Sequence, residues 1–165
     1  MNALWSATAG ELAALYARGE ATPDDALESV LARIEAVNGT LNAIVTLDLP
    51  GARAAAAAAA RRWKDGTAHG PLDGVPITVK DNLFVGGVRA TWGSLLFEDH
   101  VAPRDDLPVE KLRAAGAVIL GKTNTPELAL SGYTDNKVFG ATGNPWAPEL
   151  TPGGSSGGAV ACIAA

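Results

Sequence analysis

At 165 residues, 47% of them hydrophobic and 19% charged, the chain has the length and apolar content of one globular domain, which excludes a disordered tail. Its net charge is −5, with the acidic excess spread along the sequence, so no basic stripe is available to follow a phosphate backbone and no nucleic-acid partner is expected. The single cysteine, Cys162, excludes an internal disulfide, no His or Cys spacing offers a zinc site, and a reducing, cytoplasmic setting follows.

Glu11 interrupts the first apolar stretch and no basic start precedes a long apolar run, so neither a signal peptide nor a membrane span is expected. Thr8 and Glu11 stand at capping-box spacing, and Leu12, Leu15 and Tyr16 follow at helical intervals until Gly19, predicting a first helix. Thr22 offers an N-cap, Pro23 the first helical position, and Asp24 and Asp25 carboxylates at the positive helix end. Leu27, Val30, Leu31, Ile34 and Val37 then line one apolar face of a second helix. The unbroken alanines from Ala54 to Ala60, flanked by Arg53, Arg61 and Arg62, read as a third helix that reaches Trp63 and closes at Lys64-Asp65-Gly66. Residues 1–68 are thus expected to be a helical N-terminal region.

From His69 the composition changes. Gly70, Pro71, Gly74 and Pro76 punctuate the chain, and Val75 to Val79 reads as a strand leading to Lys80. A helix over Leu107 to Ala115 precedes a buried strand, Ala117 to Leu120, bounded by Gly116 and Gly121. A short helical stretch near Leu128 to Leu130 leads into a long irregular segment, and such segments are usually functional. The last residues form a glycine-serine loop that opens into a helix from Ala159. Helix alternating with strand gives residues 69–165 an α/β character.

Gly116 to Thr123 fits the phosphate-loop expression G-x-x-x-x-G-K-[ST], but its four intervening residues read as a strand, and Pro126 stands where the helix should propagate. Lys80 alone reads as a solvated loop charge. Gly153-Gly154-Ser155-Ser156-Gly157-Gly158 is not a linker, since apolar helix formers follow it. It stays open between an anion-binding helix entrance and a loop whose glycines admit backbone to a reacting group. His69 and His100 have no serine or cysteine arranged beside them, which disfavours a histidine-dependent triad. Cys162, Trp92 and Trp146 read as packing residues.

Gly74-Val75-Pro76-Ile77-Thr78-Val79-Lys80-Asp81-Asn82, then Gly121-Lys122-Thr123-Asn124-Thr125-Pro126-Glu127, then Asn144-Pro145-Trp146, then Pro152 to Gly158 occur in one order, and together they resemble the amidase signature family. The resemblance implies an α/β fold with a mixed sheet flanked by helices, incomplete at its C-terminal end, so that residues 1–165 form the N-terminal part of a single amidase domain. Unpaired strand edges and exposed apolar faces are then expected. It implies hydrolysis of a small carboxylic amide through an acyl-enzyme, with no metal or organic cofactor, no membrane partner, and a longer parent that forms a homodimer. Lys80 matches the family's lysine base and Ser155 the bridging serine preceded by a cis peptide. Gly153, Gly154, Ser156, Gly157 and Gly158 match the supporting loop, and Ser131 to Asp135 the wall of the acyl pocket, which places Ser131 near substrate. A lysine near pKa 10.4 in water must be desolvated to act as a neutral base, and Ile77 and Val79 suit that need. The family's nucleophile lies roughly two dozen residues past the bridging serine, in a motif that also forms the oxyanion hole. Only Ser156 to Ala165 follow Ser155, so this chain alone is expected to be inactive. Two other readings stand beside this one. One is the glutamyl-tRNA amidotransferase branch of the family, which applies the triad to glutamine and passes ammonia to a partner protein. The other is a remnant that keeps the fold without the chemistry.

Overall fold

The computed structural model describes residues 3–165. Its elements are α1 (Ala9–Ala17), α2 (Pro23–Leu41), β1 (Ile44–Leu47), α3 (Leu49–Lys64), β2 (Pro76–Lys80), α4 (Leu107–Ala114), β3 (Val118–Thr123) and α5 (Gly157–Ala164). Short 3-10 turns occur at Leu4–Ser6, Leu95–Phe97 and Glu127–Ala129. The expected α/β architecture is present, and each helix expected before His69 forms at its caps. Thr8 Oγ1 accepts from Glu11 N (3.2 Å) while Thr8 N donates to the Glu11 carboxylate (2.7 Å). Thr22 and Asp25 make the same reciprocal pair at the start of α2.

The three strands make one sheet in the order β1-β3-β2. β1 runs antiparallel to β3, pairing Ile44 with Thr123 and Leu47 with Gly121. Bonds from Gly74 N to Gly116 O, Val118 N to Val75 O and Asp81 N to Thr123 O advance together along both chains, which makes β2 parallel to β3. The sheet is therefore mixed, and all six residues of the middle strand β3 are buried.

Three features depart from the sequence reading. β1 falls inside the region read as helical: Asn42, at φ 48°, ends α2, and the Asn38 side chain binds the backbone of Ala43 and Ile44, turning helix into strand. β3 continues to Thr123 through Gly121, whose missing side chain is what the pairing needs, since a Cβ there would lie 2.2 Å from Thr46 O. The stretch expected to be helical near Leu128 to Leu130 is one 3-10 turn with Leu128 and Ala129 in the left-handed region.

By compactness the chain divides into one unit of Met1–Glu35, Asp48–Ile77 and Glu110–Leu120 and another of Ala36–Leu47, Thr78–Val109 and Gly121–Ala165. In the first, Leu12, Tyr16, Ala21, Ala26 and Val75 form a core against which Trp63 and Ile77 pack. Ala56 and Ala59 of the alanine run lie with Ala52 on one buried face of α3. Buried Asp73 accepts from Arg62 Nε and from His69 N, each at 2.9 Å. Burial opposes its charge, yet the Arg62 guanidinium and the His69 N–H outweigh that and hold its carboxyl below the usual range. Asp73→Asn is expected to lower the unfolding free energy by about 1.5–3 kcal/mol at neutral pH in urea denaturation. Because the folded carboxyl is the more acidic, this contribution is present above the unfolded pKa near 3.8 and is lost as pH falls through the folded value, so the variant's deficit should shrink in acid. In the second unit, Leu41, Ala43 and Ala161 form a small core with Val37 and Cys162 beside it. Large apolar side chains also face outward, Leu96, Leu130 and Ile163 most of all.

Candidate active site

Lys80 ends β2, and the next residue keeps the pairing going, with Asp81 N donating to Thr123 O at 3.0 Å. Lys80 Nζ donates to Ser155 Oγ at 2.8 Å and to Ser156 Oγ at 3.1 Å. The lysine and the serine loop singled out in the sequence are thus brought into contact. Burial lowers the Lys80 pKa from its ordinary value, the direction a neutral base requires. The Gly154–Ser155 peptide bond is cis.

The loop is held from beneath by threonines. Thr125 Oγ1 donates to Ser155 O (3.0 Å), and Thr134 Oγ1 donates to Gly153 O (2.8 Å) while accepting from Gly157 N (3.1 Å). Gly154 lies flat on the Ser131–Tyr133 backbone: a Cβ on it would stand 2.7 Å from both Ser131 O and Tyr133 N. Ser131 is therefore a neighbour of the serine loop through its main chain. Ser156 is the N-cap residue of α5 but makes no side-chain cap bond, and its hydroxyl instead receives Lys80.

Several site residues carried no role in the sequence reading. Asp81, Asn124 and Thr125 lie inside the quoted motifs, and Thr134 lies in the segment read as pocket wall; their hydrogen bonds to distant backbone are what assign them. Lys122 lies in the second of those motifs without a role of its own, and it also stands as the lysine of a phosphate-loop expression. The structure removes that reading, because Lys122 lies within β3 with no solvent exposure, its Nζ 3.4 Å from Asp81 Oδ1. His69 is exposed, and the His100 ring packs at 5.4 Å from Phe84. Cys162 packs beside the Leu41 cluster as expected, with burial pushing its thiol up to about 11. Trp146, expected to pack, is 79% exposed, on a turn from Asn144 to Leu150 closed by backbone bonds and by Trp146 N donating to Asn144 Oδ1 at 3.0 Å.

The family model described as Amidase matches residues 25–165. A glutamyl-tRNA(Gln) amidotransferase component from Moorella thermoacetica is 46% identical over 166 residues, covering 98% of this chain and 33% of that protein. The solved structure of a bacterial aryl acylamidase of the amidase signature family superposes with a TM-score of 0.90 at 34% identity, over 96% of this chain and 33% of its own. A 6-aminohexanoate cyclic dimer hydrolase in complex with its substrate gives 0.86 at 35% identity, over 98% and 32%. The chain spans about a third of the length of the relatives it matches. Sequence and fold agree over nearly its whole length, and on both grounds the chain belongs to the amidase family.

Proposed function

We propose that Lys80 and Ser155 are the base and the relay of a serine-dependent amide hydrolase whose nucleophilic serine comes from sequence beyond Ala165. The observation that carries this reading is the 2.8 Å contact between Lys80 Nζ and Ser155 Oγ. A neutral Lys80 amine takes the Ser155 hydroxyl proton while Ser155 Oγ takes that of the nucleophile, whose oxygen bonds to the amide carbonyl carbon. When the tetrahedral adduct collapses, the C–N bond breaks and the proton held on Lys80 returns through Ser155 to the departing nitrogen. Water repeats the cycle on the acyl-enzyme and releases a carboxylic acid. A cytoplasmic setting and a homodimer of the longer protein belong to the same proposal.

One observation favours glutamine as the amide: the match to the amidotransferase component reaches 46% identity, against 34% for the aryl acylamidase. In that branch ammonia passes to a partner protein. The test is ammonia release from glutamine and from aryl and alkyl carboxamides by a polypeptide continued past Ala165 to the length of the relatives, beside the 165-residue chain. Release by the longer polypeptide and none by the shorter is expected, with glutamine turned over fastest in the amidotransferase reading. Absence of release from every amide would overturn the hydrolase proposal in favour of a remnant without chemistry.

A further inference from the structure

Adjoining Lys80, the structure buries a second set of charges that the proposed reaction does not use. Asp81 and Lys122 are both completely buried, with Lys122 Nζ 3.4 Å from Asp81 Oδ1. The other carboxylate oxygen accepts twice from Thr91, from its N–H at 3.0 Å and from its Oγ1 at 2.6 Å. The Asp81 main chain is pinned as well, by its N–H to Thr123 O. All these bonds converge on the residue covalently joined to Lys80, at the point where the edge strand β2 ends and would otherwise fray.

A buried ion pair is poor evidence for stability, because its desolvation penalty offsets its attraction and an apolar pair of like volume would often serve packing as well. What such a pair does supply is a fixed position, and position is what a lysine on a flexible four-carbon stem needs if its amine is to stay on one hydroxyl. We infer that Asp81, Lys122 and Thr91 form a clamp that holds the Lys80 main chain so that Nζ stays on Ser155 Oγ, which makes all three positioning residues for amide hydrolysis. The inference rests on the hydrolase reading above. The charged groups acting on Lys122 are Asp81 and, at longer range, Asp106, whose Oδ2 also accepts from Phe84 N at 2.8 Å. Lys80 itself meets the hydroxyls of Ser155 and Ser156.

The experiment uses the polypeptide of the relatives' length and first compares it with Lys80→Met. If the parent releases no ammonia, or Lys80→Met keeps the parent rate, the hydrolase reading falls and the clamp with it. If Lys80 is required, Lys122→Met, Asp81→Asn and Thr91→Val are measured for kcat, KM, the pH midpoint of kcat/KM and Tm. Lys122→Met and Asp81→Asn are expected to lower kcat by about ten- to a hundred-fold with KM nearly unchanged. Their pH midpoint should move up toward the ordinary lysine value as Nζ escapes into water. Should either charge variant fail to fold, Thr91 decides, because Thr91→Val removes one bond to Asp81, and the bond Thr91 Oγ1 accepts from Gly93 N, without orphaning a buried charge. There a several-fold loss of kcat restored by Thr91→Ser supports the clamp. Parent-like kcat and pH midpoint in Thr91→Val overturn it while leaving the hydrolase reading intact.

Discussion

Lys80→Met, in a polypeptide of the relatives' length, is expected to lose about a thousandfold in kcat/KM while keeping its fold. Methionine preserves the apolar stem beside the buried strand residue Val79 and removes only the amine that touches Ser155 Oγ at 2.8 Å. Folding is checked by the melting transition, and the loss by ammonia release at pH 8. The same residue sets the pH dependence of the parent. The protonated amine cannot accept, so kcat/KM should rise with pH as Lys80 loses its proton. Burial puts that midpoint below the ordinary 10.5. A midpoint at or above 10.5 with a Lys80→Met variant still active would show that the base lies elsewhere.

The helices were legible because each carries its own signals locally: the capping box at Thr8, the N-cap at Thr22, the proline at Pro23, and the closing Gly66, at φ 69°. β1 was not legible, because four residues between two helices show no periodicity, and what makes them a strand is pairing with β3, far along the chain. Gly121 misled for a related reason: a glycine inside a strand looks like a boundary until the approach of Thr46 O is known. At the site, Lys80 and Ser155 were legible through the order of the motifs, and their contact follows from the parallel pairing of β2 with β3, which no local pattern encodes. Asp81 and Lys122 stayed hidden because, read singly, a charged residue after a strand is most often solvated. Their complete burial is a property of the fold.

Gly158→Ala is expected to be the most damaging single-methyl change in the serine loop. A Cβ at that position would lie 2.4 Å from Asn124 N and 2.7 Å from both Asn124 O and Ala43 O. All three are backbone atoms with bonds of their own, Gly158 N donating to Asn124 O and Asn124 N to Ala43 O, so no side chain can turn aside to make room. Relief requires α5 to move away from Asn124, whose side chain also donates to Thr142 Oγ1 and accepts from Asn136 Nδ2. Overpacking of this kind destabilises by about 1–3 kcal/mol. In a chain of this size each kcal/mol lowers Tm by about 2–4 °C. The displacement is transmitted to Ser155, three residues earlier, so in a polypeptide of the relatives' length kcat should fall by about a hundredfold in whatever fraction stays folded. Gly39→Ala, in α2 away from the site, is the control, because a Cβ at Gly39 meets nothing within 4 Å. If Gly158→Ala melts and turns over like Gly39→Ala, the serine loop is not fixed by the close approach of α5 to Asn124. The serine side of the 2.8 Å contact between Lys80 and Ser155 must then be set by Thr125, Thr134 and the packing of Gly154 on the Ser131–Tyr133 backbone.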